Sequence, residues 1–489
     1  MAPAWPYDWL VSLSNTGGSK QTNSDPGVPA DILVALDTSD RRGLREQLQQ
    51  QLRSSIQQGR LPAGTALPPT RTLARDLGVA RSVVVDAYEQ LEADGYVAGR
   101  QGSGTRVLAT ARQEADRPRS ADAPIHTVRL LGGLPDPALF PRAEWMRHYR
   151  AALGALPNDE LAYPGPLGAL QLRDALTNYL GRVRGVVVSP NRMLVSTGLT
   201  QAIVLLCRAL RRRGVEAIAV EDPCFGLHRE AISNTGLRVV PVPVDDAGLD
   251  VARLADLDVD AVLVAPAHSY PTGAVLSAER RAALVEWAQA RDGLVIEDDY
   301  DAEFRYDRAP IGALQGLAPE RVAYAGCVSK TLTPALRLGW MALPRWLIGD
   351  VVREKLFDDM GTSLLEQVAL ARFIDAGALG RHLRRVRPIY RRRRDAVLES
   401  LALALPGAQP KGIAAGLHVY VELPAWCDES ALIEAANAKG LLIGGGRGAW
   451  SDPSSPPALV LGYGAINEQA IRNGVAVLGS IYERLAGGS

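Results

Sequence analysis

From Met193 to Gly326 the chain alternates short apolar runs with longer amphipathic ones, and this limits the fold more than any other feature. The short runs are Met193–Ser196, Ala217–Val220, Val239–Val242, Ala261–Ala265, Gly293–Glu297 and Val322–Gly326. Between and after them lie stretches with helical spacing, such as Gln201–Arg212, Ala278–Ala290 and Leu364–Ala376. Apolar strands joined through helices predict a parallel α/β sheet covered on both faces. The stretch from about 350 to 489 mixes the two periodicities and reads as a smaller α+β unit. A chain of 489 residues exceeds the roughly 250–300 at which one core stops growing, so at least two domains are expected.

The N-terminal part has a different pattern. Residues 1–30 are rich in Ser, Gly, Asn and Pro, and the N-terminal segment 1–40 reads as partly flexible. Helical spacing then runs from Leu44 to Gly59, from Thr70 to Leu77 and from Ala80 to Asp94. Tyr96–Val107 reads as two strands around Gly102-Ser103-Gly104. Three helices and a glycine-centred hairpin make a winged helix-turn-helix over 41–108, followed by a charged, Pro-containing linker over 109–127. Residues 41–108 hold ten Arg against six Asp and Glu, whereas the whole chain balances 54 basic against 54 acidic residues. Arg71, Arg81, Ser82, Arg100 and Gly102 fall at helix starts and in the wing, where such a head meets phosphates and base edges of duplex DNA.

Only five lysines occur, and Lys330 stands apart. It follows the apolar run Val322–Gly326, and Arg337 lies seven residues on. A strand-end lysine near an arginine suits a Schiff base with an aldehyde that also carries a phosphate. The other four lysines read as surface charges. Ser196-Thr197-Gly198-Leu199 follows a strand and opens a helix, where free N–H groups cradle a phosphate. Phe225 offers a flat surface after another strand, and Asp298 or Asp299 can face a protonated pyridine nitrogen. The four cysteines lie far apart without a CxxC pair, which argues against a zinc site or disulfide framework and suits a reducing cytoplasm. No signal peptide or membrane span is expected.

The segments Leu67-Pro68-Pro69-Thr70-Arg71, Leu77-Gly78-Val79 and Gly102-Ser103-Gly104-Thr105 resemble the GntR-type winged helices. From Val128 to Ala486 the chain resembles the fold-type I aminotransferases, which bind pyridoxal 5′-phosphate (PLP). The two together resemble the MocR subgroup of GntR regulators. That resemblance implies Lys330 as the PLP-bonded lysine, Asp298 as partner of the ring nitrogen, Tyr300 beside the phenolic oxygen and Phe225 stacked on the ring. It places the phosphate on Gly198, Leu199 and Arg337, and gives Tyr163 to the phosphate of the other subunit of a head-to-tail, domain-swapped homodimer. It implies a cytoplasmic PLP-dependent regulator of DNA, responding to PLP or an amino compound, with control of PLP synthesis the favoured target. No catalytic residue and no metal ligand is assigned. The alternative is an active aminotransferase with an accessory DNA module. Against it, Val460 stands where aminotransferases carry the arginine that clamps a substrate carboxylate; Arg447 is the candidate substitute. The eight arginines within Arg381–Arg394 read first as a solvated or acid-paired helix face and second as an auxiliary DNA contact.

Overall fold

A computed structural model describes residues 34–37, 40, 42–100, 104–108, 128–306, 311–452 and 454–487. Gly102, the expected 109–127 linker and nearly all of residues 1–40 lie outside them. The chain divides into two compact units, one within 9–123 and one within 124–489.

In the smaller unit, α1 (Leu44–Gln57), α2 (Thr70–Asp76) and α3 (Arg81–Ala93) precede an antiparallel hairpin of β1 (Val97–Arg100) and β2 (Gly104–Val107). Each helix buries one stripe: Leu48, Leu52 and Ile56 from α1, Leu73 and Ala74 from α2, and Val84, Ala87, Tyr88 and Leu91 from α3. These residues close over Val97 and Val107 of the hairpin. The turn between α2 and α3 places Gly78 at φ +65°, a left-handed conformation that glycine adopts without a Cβ penalty.

The larger unit begins with β3 (Val128–Leu130), α4 (Arg142–Ala155), α5 (Leu170–Arg184), β4 (Met193–Ser196) and α6 (Leu199–Arg212). There follow β5 (Ala217–Asp222), α7 (Gly226–Ser233), β6 (Arg238–Asp245), β7 (Gly248–Leu249), α8 (Val251–Ala255), β8 (Ala261–Val264), α9 (Ala278–Ala290), β9 (Leu294–Asp299), β10 (Val322–Cys327) and β11 (Gly339–Ala342). The last third holds α10 (Ile348–Asp359), α11 (Leu364–Asp375), α12 (Ala378–Ala404), β12 (Gln409–Lys411), β13 (His418–Glu422), α13 (Glu429–Ala438), β14 (Leu441–Gly445), β15 (Ala458–Gly462) and α14 (Glu468–Ala486).

The large sheet has the order β4-β11-β10-β9-β8-β5-β6-β7. Five neighbouring strands, β10, β9, β8, β5 and β6, run parallel and are nearly continuous in apolar side chains. The sheet is parallel-rich and not wholly parallel, because β11 runs antiparallel between β10 and β4. The sequence expectation ends its strands at Val322–Gly326 and does not contain this strand, Gly-Trp-Met-Ala. A second sheet, β12-β13-β15-β14-β3, takes its edge strand β3 from residues 128–130, paired parallel with β14. The smaller α+β unit expected over about 350–489 therefore also draws on the start of the large unit.

The arginine run lies on α12 and is engaged with protein groups along its length. Arg381 pairs with Glu144 at 2.8 Å, Arg392 with Glu468 at 3.3 Å and Arg393 with Asp136 at 2.7 Å. Arg385 and Arg387 donate to the carbonyls of Leu139 and Glu303. These contacts favour the acid-paired reading of the run. Among the described residues no helix is long and apolar enough to cross a membrane.

Candidate cofactor pocket and DNA-reading head

The pocket residues come from the carboxyl ends of the parallel strands, where open α/β sheets gather their ligands. Adjacent residues on β9 point to opposite faces. Asp299 faces Arg184, whose Nε lies 2.8 Å from Oδ2, and accepts a further bond from the Tyr324 hydroxyl at 2.6 Å. Both side chains of this ion pair are 3% exposed, so Asp299 is spent on structure. Asp298 turns the other way. Its Oδ1 is buried with no hydrogen-bond partner, and its Oδ2 lies 3.7 Å from His228 Nδ1. Burial, then the charges of Asp299, Glu221 and Asp301, raise the Asp298 carboxyl well above the ordinary range, and Lys330 only partly opposes them. Burial and the Lys330 charge lower His228 to about 4, so at neutral pH that contact is not an ion pair. A buried carboxylate short of a partner fits a group that brings its own N–H⁺.

Lys330 sits on the connection between β10 and β11, half-buried, and its Nζ donates to the Gly133 carbonyl at 2.6 Å. Burial lowers its pKa, against the opposing influence of Cys327, Asp301 and Asp298. A lowered ammonium pKa leaves more of the neutral amine that attacks a carbonyl.

The same connection carries Arg337, and the antiparallel register fixes where it lands. Gly339 of β11 pairs with Ser196 of β4, so the residues before one strand meet the residues after the other. A Cβ on Gly198 would lie 3.0 Å from Arg337 Nη2, which places the guanidinium against the N-terminus of α6. Gly198 is at φ +125° and caps a helix whose first N–H groups, beginning with Leu199, have no intrahelical acceptor. A cation beside the positive end of a helix dipole is an arrangement that an anion relieves.

Phe225 caps α7 and meets His228 edge-on at 5.1 Å and Tyr270 edge-on at 5.4 Å. The Tyr300 hydroxyl lies 3.0 Å from His268 Nδ1, which is 2.9 Å from Asp301 Oδ2. Burial disfavours a charged His268, but Asp301 outweighs it and the pKa rises. Lys330, Asp298, Tyr300, Phe225, Gly198, Leu199 and Arg337 thus share one edge of one sheet. Tyr163 makes no hydrogen bond to any of them and is 83% exposed ahead of α5.

In the smaller unit Arg71, Arg81 and Ser82 occupy the first turns of α2 and α3 and are exposed. Arg81 Nε is 3.5 Å from the Thr70 hydroxyl; among the described residues neither Arg71 nor Arg81 has a carboxylate partner. Arg42 and Arg53 differ, being paired with Asp40 and Asp94. Arg100 closes β1 opposite Gly104, while Gly102 falls outside the described residues.

Comparison with known proteins finds the pattern described as bacterial regulatory proteins, gntR family, over residues 44–107, and that of aminotransferase class I and II over 147–446. The HTH-type pyridoxine biosynthesis transcriptional regulator PdxR of Corynebacterium glutamicum is 32% identical over 91% of this chain and 97% of its own length. The chain belongs to the MocR subfamily of GntR-type transcriptional regulators. A probable rhizopine catabolism regulatory protein, MocR of Rhizobium meliloti, is 30% identical over 92% of this chain and 96% of its own. The multiple substrate aminotransferase of Thermococcus profundus superposes with a TM-score of 0.69 at 26% identity, over 76% of this chain and 94% of that one. The large unit therefore has the fold-type I aminotransferase fold, and this MocR-type chain is a DNA-binding transcriptional regulator.

One expectation changes. Lys355 does not read out as a surface charge: its side chain is 0% exposed. Arg447, the candidate substitute for the clamp, donates its backbone N–H to Glu429 Oε1 at 3.2 Å, and its side-chain Nε is buried without a hydrogen-bond partner. Sequence reasoning also gave no role to His228, to the Gly133 carbonyl or to His418. His228 stood three residues after Phe225, within one helical turn, which was the signal available for it.

Proposed function

We propose that this MocR-type regulator holds PLP in the large unit and that ligation sets its affinity for operator DNA. PLP supplies an aldehyde and an electron-withdrawing ring; the chain's own groups hold it. Lys330 would hold the aldehyde through its Nζ. Asp298 keeps a proton on the ring nitrogen, Phe225 covers one face, and Tyr300 reaches the phenolic oxygen. The N–H groups of Gly198 and Leu199, with Arg337, hold the phosphate. A second copy supplies Tyr163, whose 83% exposure is unusual for an aromatic side chain and suits a head-to-tail homodimer. The observation that carries this reading is Asp298, whose buried Oδ1 has no hydrogen-bond partner and whose Oδ2 meets His228 at 3.7 Å, while Asp299 is taken up by Arg184.

PLP itself, or PLP with an amino compound, is the effector, and a cytoplasmic regulator of PLP synthesis or amino-compound use is the role that fits. The reading head is 41–108 and the cofactor unit 128–489. Turnover as an aminotransferase is disfavoured by Val460, which is 3% exposed and packs against Tyr270, Tyr420 and Ala458. An apolar wall there offers a carboxylate no counter-charge. The test is the Lys330→Ala variant. The wild-type protein with PLP should show the visible absorbance of a lysine-bound aldehyde, and the variant should lack it; retention of the band would defeat the assignment.

A further inference from the structure

Lys355 is a buried cation that the proposed cofactor site does not use, and it stands directly behind that site. Its Nζ has three acceptors for its three protons: Asp359 Oδ2 at 2.5 Å, Thr362 Oγ1 at 2.8 Å and Gln201 Oε1 at 3.0 Å. Burial lowers its pKa, while Asp359 works to raise it. Gln201 lies in the first turn of α6. Its Oε1 also accepts the backbone N–H of Thr197 at 2.8 Å, and its Nε2 donates to Asp358 and Asp359 at 2.7 and 3.0 Å. Every polar atom of the Gln201 amide is thereby committed, and its orientation is fixed by charged partners. Thr197 immediately precedes Gly198, so the Gln201 contact sets the peptide from which the cradle turns.

The node has a second arm. Thr362 carries its hydroxyl to Lys355 and its carbonyl to Gln367 Nε2 at 2.7 Å, and Gln367 Oε1 accepts the N–H of Ala169 at 2.7 Å. Gly361, at φ +129°, lies so close to the Pro164 and Gly165 carbonyls that a Cβ would be 2.9 and 3.1 Å from them. The segment from Pro164 to Ala169, which Tyr163 precedes, is therefore seated on the same turn between α10 and α11.

We propose that Lys355 is a positioning residue for anion binding, holding the Thr197–Leu199 cradle through Gln201 in the orientation that receives a phosphate. It touches no ligand. Its ammonium organises a neutral amide, and the amide organises the backbone. The inference rests on the proposed placement of the PLP phosphate.

The test compares full-length wild type with Lys355→Met, Gln201→Leu and a control, Arg213→Ala, whose surface ion pair with Asp350 also joins the end of α6 to α10 but shares no residue with the node. PLP affinity is read from absorbance titration, and inorganic phosphate is titrated as a competitor. Circular dichroism and the thermal midpoint of the cofactor-free proteins report folding. Lys355→Met and Gln201→Leu should each weaken both PLP and inorganic phosphate about tenfold or more, the size of one charge-assisted hydrogen bond. The control should stay within about twofold. Gln201→Leu leaves the buried ammonium its Asp359 and Thr362 partners, so it reports on the cradle even if Lys355→Met fails to fold. Unchanged phosphate competition in a folded Gln201→Leu protein would overturn the inference while leaving PLP binding intact. Absence of PLP binding by wild type would instead overturn the cofactor reading, and this one with it.

Discussion

Two consecutive aspartates on β9 should respond oppositely to the same substitution. Asp299→Asn leaves the Arg184 guanidinium, 3% exposed, without its ion-pair partner; the Ile311 carbonyl stays bonded to it, and Glu303 acts on it only through its charge. Removing one member of a buried pair costs about 3–5 kcal/mol, so Asp299→Asn should destabilise the cofactor-free fold by that order. Asp298→Asn removes a carboxyl that the folded state already disfavours in its charged form, since its pKa is raised by burial and by Asp299. A raised carboxyl pKa weakens the fold as pH climbs above the ordinary aspartate value of about 4. Cofactor-free Asp298→Asn should therefore match wild type at low pH and equal or exceed its stability at neutral pH. With PLP the order inverts, because an amide cannot hold a proton on the ring nitrogen. Affinity should fall about ten- to a hundredfold, the value of a hydrogen bond to a charged group. Denaturant unfolding of cofactor-free protein at pH 4.5–8 (roughly the span over which an ordinary carboxylate is ionised) and absorbance titration with PLP read the two effects separately. A cofactor-free Asp298→Asn that loses several kcal/mol beside a silent Asp299→Asn would refute the assignment of faces.

Gly198→Ala should impair PLP binding with little effect on the rest of the fold, because φ +125° strains an alanine and its Cβ would sit 3.0 Å from Arg337 Nη2; a titration with unchanged affinity would count against the cradle. Arg71→Ala and Arg81→Ala should weaken operator binding, flatten its log–log salt dependence by about one unit each, and leave the cofactor spectrum unchanged. PLP should shift affinity for an operator with two half-sites by roughly 5–150-fold, the range of ordinary allosteric coupling, and shift a single half-site far less; equal shifts on both, read by fluorescence anisotropy, would place the effect inside the winged helix.

The sequence was most legible where one residue type is rare or one period is sustained. Five lysines left a single strand-end candidate, and apolar runs of four or five residues located the parallel strands. What stayed hidden depends on partners remote in the chain. Nothing near Asp298 and Asp299 tells them apart; Arg184 does, from the last turn of α5. Lys355 looks like any helical lysine until Thr362 and Gln201 are folded onto it, although its i, i+4 spacing to Asp359 was visible. β11 is not among the strands read from the sequence, yet its register is what brings Arg337 to Gly198. On α12 the charge run was visible but its partners, Asp136 and Glu144 among them, lie in earlier segments.

The proposed anchors for ring, aldehyde and phosphate, Asp298, Phe225, Lys330, Gly198 and Arg337, belong to the large sheet and its loops, whereas Val460 stands on β15 of the small one, paired with Tyr420 of β13. On the proposed reading, retaining a cofactor and grasping a substrate's carboxylate fall to separate sheets, which meet where Tyr270 packs on Val460 and stands edge-on to Phe225. Loss of the carboxylate clamp would then leave Lys330, Asp298 and Arg337 in place, so that turnover and cofactor retention are separable by changes to the small sheet.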